Sequence, residues 1–212
     1  MREILDGIIN PQEFYEESNI KILWILKEGN VSIEDYNKPR DLCEELRNGE
    51  HKKNALSIAT FRKIIYSSYW LLNNDLNWED IPFANEDECY NILNKIAYIN
   101  INKYPAGSKS YDSKLYKIYE ENKIDLLNQI KKIDPEIIIF GNTFKFFKND
   151  LKTINWKIDF NEQYSYENNN YYIIPNKGLC ISAYHPAYPK LSDYNYSNEI
   201  KEISKKYINT KL

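Results

Sequence analysis

Leu179-Cys180-Ile181-Ser182-Ala183-Tyr184 is a short apolar run that empties into His185-Pro186-Ala187. A run of this length, bounded by polar and turn residues, reads as a buried strand. Pro186 restricts the backbone of His185 and Pro189 stiffens the turn, so the imidazole is held at the strand's end. Three more runs share the pattern, at 20–26, 96–101 and 136–140. Helical periodicity fills the gaps. Residues 56–72 are amphipathic, and 85–95 open on Asn85-Glu86-Asp87-Glu88, which has the form of a capping box. Residues 113–133 carry apolar side chains at Leu115, Ile118, Ile124, Leu127, Ile130 and Ile133 before the Asp134-Pro135 stop. A last surface helix is expected over 192–208. Tyr171-Tyr172-Ile173-Ile174 is a candidate further strand, and Pro175-Asn176-Lys177-Gly178 resembles a hairpin turn. The alternation predicts an α/β fold of three layers, α/β/α, around a central, mainly parallel four-stranded sheet. Residues 1–212 read as a single domain, with no repeat or linker.

Composition narrows the classes of function. The chain has 212 residues, 42% hydrophobic and 15% aromatic, enough to bury a core. Its formal net charge of −3 gives no global basic field, so contact with nucleic acid has to come from a local patch and from backbone amides. Cys43, Cys89 and Cys180 form no C-x-x-C pair, and the two histidines, His51 and His185, lie far apart in sequence. A zinc or iron–sulfur site therefore lacks a ligand set, and no metal is expected. No basic segment followed by an apolar stretch opens the sequence, and no apolar stretch reaches membrane-spanning length, so a reducing cytoplasm and no membrane are expected. The G-x-S-x-G, G-x-G-x-x-G and Walker patterns are absent.

In a parallel sheet, ligands sit at the carboxyl ends of the strands. Those ends read Lys27-Glu28-Gly29-Asn30, Asn100-Ile101-Asn102-Lys103, Gly141-Asn142-Thr143 and Tyr184-His185-Pro186. An acid, an amide and an imidazole thus converge after three different strands. His51 lies in the charged stretch Asn48-Gly49-Glu50-His51-Lys52-Lys53 and reads as solvated.

These segments resemble the uracil-DNA glycosylase superfamily, most closely its iron–sulfur branch. Tyr98-Ile99-Asn100-Ile101-Asn102-Lys103 looks like that branch's strand carrying a base-reading asparagine. Leu126-Leu127-Asn128-Gln129-Ile130 through Ile133-Asp134-Pro135-Glu136-Ile137-Ile138-Ile139-Phe140-Gly141 is similar to its long helix, proline break and glycine-ended strand. Ala183-Tyr184-His185-Pro186-Ala187-Tyr188 resembles its His-Pro-Ser motif, with Ala187 in place of serine. The first loop keeps the glutamate of the family's Gly-Glu-Ala-Pro-Gly and loses the proline, and the cluster cysteines are absent.

The resemblance implies a DNA glycosylase without a cofactor, acting as a monomer on an altered base in DNA, single strands included. Cleaving an N-glycosidic bond separates an oxocarbenium-like sugar from a base that leaves with negative charge. His185 is then the donor to the base oxygen, and Glu28 orients water and supports the sugar, with Asn30 sharing the water. Asn100 reads the base edge, with Lys27, Gly29 and Tyr36 around the base. Asn102, Lys103, Lys109, Gly141 and Asn142 meet the DNA, and Tyr188 or Leu191 wedges into the base stack. The stacking aromatic is not assigned, with Tyr36, Tyr66 and Trp70 as candidates. Two other readings stay open: a binding module without catalysis, and a small-molecule hydrolase using Glu28 and His185.

Overall fold

A computed structural model of the chain describes residues 3–16, 20–30, 37–107 and 110–209, with the Asn30 side chain outside the described atoms. Two short strands, β1 (Ile4–Leu5) and β2 (Gly7–Ile8), and one helical turn, α1 (Pro11–Phe14), lead into the long strand β3 (Ile22–Asn30). Then come β4 (Arg40–Asp41), α2 (Leu42–Arg47), α3 (Ala59–Leu72) and α4 (Asp87–Tyr90). Strand β5 (Ile96–Ala106), helix α5 (Asp112–Ile133), strand β6 (Ile137–Gly141) and the turn α6 (Phe144–Phe147) follow. The chain continues through β7 (Tyr164–Tyr166), β8 (Asn169–Ile174), β9 (Gly178–Ala183) and α7 (Asp193–Ile208).

The main sheet is mixed and seven-stranded, in the order β2-β5-β3-β6-β9-β8-β7, larger than the four strands the sequence predicts. The neighbours β5, β3, β6 and β9 pair in parallel, whereas β2, β8 and β7 add antiparallel edges. A separate two-stranded piece joins β1 to β4 in parallel. The edge strands escape the sequence pattern because strands of two or three residues carry no measurable period. The candidate strand over 171–174 is β8, which turns back at Ile174↔Gly178 to pair with β9.

Continuous apolar runs form these parallel strands because both faces of the sheet are covered. On one face Ile22, Trp24, Tyr98, Ile139 and Ile181 meet Ile64 and Ile65 of α3 and Ile200 and Ile203 of α7. On the other, Leu23, Ile25, Ile99, Ile138 and Phe140 meet Leu115, Tyr119, Leu126 and Ile130 of α5. Each fully buried aliphatic side chain contributes roughly 1.5–3 kcal/mol of transfer free energy, so this central set is the main favourable term.

Strands β3 and β5 run past the apolar stretches. Their register holds from Ile22↔Ile96 through Leu26↔Asn100 to Glu28↔Asn102, then shifts before Asn30↔Ala106. Backbone pairing continues where the side chains turn polar, so Glu28, Asn100, Asn102 and Lys103 lie within strands instead of loops. The helix expected over 85–95 is also corrected. It is one turn, α4, followed by a 3-10 segment at Asn91–Lys95, and its N-cap Glu86 makes no capping bond. Glu88, the acid of the expected box, instead accepts from the Tyr69 hydroxyl at 2.9 Å. Helix α7 is capped as its sequence suggests, with the Ser192 hydroxyl accepting from the Asn195 amide at 3.0 Å.

Gly141 ends β6 at a point of close approach. A Cβ there would collide with the Leu26 side chain and sit 3.1 Å from Cδ of Pro186, in the His-Pro turn. Gly141→Ala is therefore expected to destabilise the fold by about 1–3 kcal/mol through overpacking, read as a lower urea midpoint at unchanged slope.

Candidate active site

A cleft of about 380 Å³ opens at the carboxyl ends of β3 and β5. Lys27 and Glu28 reach it from β3, Tyr98 from β5 and His185 from the turn after β9. His51, from the segment between α2 and α3, and Phe61, from α3, close the far side. The volume falls toward the low end of the ~300–1,000 Å³ of small-molecule sites.

Glu28 is held from two directions. Its Oε2 accepts from Nδ2 of Asn102 at 3.1 Å, and its Oε1 accepts from the Ser110 hydroxyl. Asn102 is itself oriented, because its Oδ1 accepts from the Tyr104 amide at 3.1 Å. The amide expected to meet DNA therefore fixes the carboxylate, a consequence of the Glu28↔Asn102 register.

His185 is wired as a donor. Its Nδ1 accepts from the Ala187 amide at 3.1 Å, which places the proton of the neutral ring on Nε2. Burial, and then the positive charges of Lys27 and Lys63, push its pKa down to about 4. The ring is consequently neutral at physiological pH, with an N–H to offer.

Lys63 is a component that sequence reading missed. It is 3% exposed, and its Nζ donates to the carbonyls of Tyr188 at 2.8 Å and Leu191 at 2.7 Å, fastening the loop behind His185 to α3. Burial lowers its own pKa. The signal in the sequence is a lysine on the apolar stripe of 56–72, between Ala59 and Tyr66. His51 is the second omission. Its Nε2 lies 3.0 Å from Oε2 of Glu45, and the Arg40 guanidinium grips the same carboxylate, with Nε at 2.8 Å from Oε1. Burial raises the Glu45 pKa, but the hydrogen bonds and charges of Arg40 and His51 outweigh it and hold the carboxyl down to about 2. The Phe61 ring packs 5.1 Å from the His51 ring.

Other expected site residues stand elsewhere. Asn100 shares a sheet face with Tyr98 and Asn102 but is 1% exposed and is not among the residues lining the cleft. Its backbone amide donates to Oδ2 of Asp6 at 2.8 Å, and its side-chain amide faces the buried Tyr98 phenol. Lys103 is corrected from a phosphate contact to an internal ion pair, with Nζ 2.5 Å from Oδ1 of Asp6 and 2.8 Å from Oε1 of Gln129. A cation beside a nearly buried carboxylate gains more there than in water.

Asn142, at φ +60°, lines a separate cavity of about 310 Å³ with Phe144, Lys145 and Phe160. Tyr188 stacks on Tyr184 with centroids 4.5 Å apart, and Leu191 packs against the core instead of projecting as a wedge. Tyr66 and Trp70 are core residues: the Tyr66 hydroxyl accepts from the Ala84 amide, and the Trp70 indole donates to the Leu76 carbonyl. Phe61 and Tyr98 are the phenyl-ring side chains that line the cleft among the described residues. Tyr36 and Lys109 lie outside the described residues, as does the side chain of Asn30. Among the described residues no group of three His, Cys, Asp or Glu side chains is placed to hold a metal, and no helix is long and apolar enough to cross a membrane.

No protein-family model matches the chain, and neither does any curated protein.

The depressed His185 pKa links to stability. The unfolded ring, near 6.5, binds a proton that the folded ring refuses until about pH 4, so stability is full above 6.5 and declines as pH falls toward 4. At ~1.4 kcal/mol per unit the decline is at most about 3 kcal/mol, reduced by partial exposure of the ring. In a ring-proton NMR titration His185 is expected to show a midpoint near 4. Lys63→Met should raise that midpoint by removing a nearby positive charge; a midpoint near 6.5 in wild type would contradict the neutral-donor assignment.

Proposed function

We propose that the protein hydrolyses the N-glycosidic bond between an altered base and deoxyribose in DNA, as its resemblance to the uracil-DNA glycosylase superfamily implies. One observation carries the reading: a doubly anchored carboxylate, Glu28, and a neutral N–H donor, His185, line the same cleft at the carboxyl ends of parallel strands. The two groups match the two charges of the transition state. Glu28 stabilises the cationic sugar, and Nε2–H of His185 stabilises the base oxygen on which negative charge accumulates.

A neutral donor suits this task, because it is already positioned and needs no protonation at working pH. Phe61 supplies an apolar ring for the base to pack against. The Asn100 side-chain amide, set against the Tyr98 phenol that lines the cleft, is the polar group closest in role to the expected base reader.

A second reading, hydrolysis of a free nucleoside or nucleotide, is favoured by the lysines. Lys27 pairs with Asp112 at 3.1 Å and Lys103 with Asp6, so neither is available as an unpaired phosphate contact. Release of base from labelled oligonucleotides carrying uracil or hypoxanthine, compared with release from the matching nucleosides, separates the two readings. Binding without release from either supports the non-catalytic module.

His185→Ala is expected to slow single-turnover base release by about 10²–10³-fold while changing oligonucleotide affinity little, because its bond strengthens mainly in the transition state. Equal losses in rate and affinity would make His185 a binding or folding residue.

A further inference from the structure

In the glycosidic reaction just proposed, on which this inference rests, the attacking water must lose a proton as its oxygen bonds to C1′ of the sugar. Among the described residues the cleft offers few groups that can take it. Glu28, held by Asn102 and Ser110, has to stay ionised to support the cationic sugar in that reading. Nδ1 of His185 is occupied by the Ala187 amide, and its Nε2 carries the proton that serves the base. Lys27 is paired with Asp112 and Arg40 with Glu45. The Tyr98 phenol is fully protonated, since burial pushes its pKa well up.

His51 is wired in the opposite sense to His185. The carboxylate of Glu45, which can only accept, takes the hydrogen bond at Nε2. In the neutral ring that bond fixes the proton on Nε2, and Nδ1 has no partner among the described residues, on a side chain that lines the cleft. Arg40 in turn fixes Glu45, and Phe61 packs on the ring, so the base, its orienting carboxylate and the support behind them form one chain of contacts.

We propose that His51 is the general base of the cleft, taking the water proton at Nδ1, with Glu45 as its positioning residue. The C1′–N bond breaks and its electron pair leaves with the base, whose charge His185 stabilises. The water oxygen bonds to C1′ and one water proton passes to Nδ1 of His51. That proton is then released to solvent, and the departed base takes one up, so the net change is addition of water across the glycosidic bond.

The test is single-turnover base release from the labelled uracil and hypoxanthine oligonucleotides by the wild-type protein, His51→Ala, His51→Gln and Glu45→Gln, with and without added imidazole. Both His51 variants should lose about 100-fold or more, within the ~10²–10⁴-fold range of general-base catalysis, with oligonucleotide affinity retained. Glu45→Gln should lose about tenfold. Imidazole should restore His51→Ala, which has room for it, and leave His51→Gln unchanged. Glutamine can keep a hydrogen bond to Glu45 through its amide nitrogen, so an unaltered melting temperature in His51→Gln separates loss of the base from loss of the fold.

Release by either His51 variant within tenfold of wild type, or a loss in His51→Ala that imidazole does not repair, overturns the role of His51 and leaves the glycosidase reading standing. Absence of release by the wild-type protein from either oligonucleotide overturns both.

Discussion

The parallel pairing of β3 with β5 on one side and β6 on the other is the constraint from which the site follows. Ile22 to Leu26 have at most 1% exposure, so this strand can sit only at the centre, with neighbours on both edges and helices on both faces. Because β5, β3, β6 and β9 share a direction, their carboxyl ends fall along one margin of the sheet. There the apolar stretches give way to polar residues, and the ends of β3 and β9 come to a common cleft. Gly141 completes the geometry by allowing the His-Pro turn to close over the end of β6.

Within that margin the polar groups are ordered by their neighbours rather than by their identities. Two imidazoles line the cleft, yet a backbone amide binds Nδ1 of His185 while a carboxylate binds Nε2 of His51. The first ring is left with a donor, and the second, when neutral, with an acceptor. Lys63 contributes at a distance, tying down the loop behind His185 and adding positive charge that disfavours the imidazolium. A buried lysine is costly unless its protons find acceptors, and here two carbonyls supply them.

The central strands were legible in the sequence because burial on both faces leaves an unbroken apolar run that no solvated segment would carry. The extensions of β3 and β5 were not, since backbone pairing does not show in side-chain character; Glu28 and Lys103 read as loop residues for that reason. Asn100 and Asn102 expose a second limit. They are two residues apart, so they share a sheet face, and nothing in their local sequence says which one meets Glu28. The cross-strand register decides it for Asn102. His51 was misplaced by its surroundings. Its neighbours in sequence are charged, but its environment is set by Glu45, Arg40 and Phe61, contacts that local polarity cannot report.

The charge arrangement also bears on how the proposed substrate is recognised. Lys27 and Lys103 are held in ion pairs, Lys145 also bonds to Asp112, and the chain is acidic overall. A protein that binds nucleic acid chiefly by neutralising phosphates needs unpaired cations in a row, and its affinity falls steeply with salt. On the proposed reading the neutral His185 donor and the Phe61 ring are instead suited to a base and are indifferent to the length of the attached strand. In the proposed reaction discrimination falls on the base itself, and the anchored carboxylate of Glu28 would favour the charge that appears only as the glycosidic bond opens.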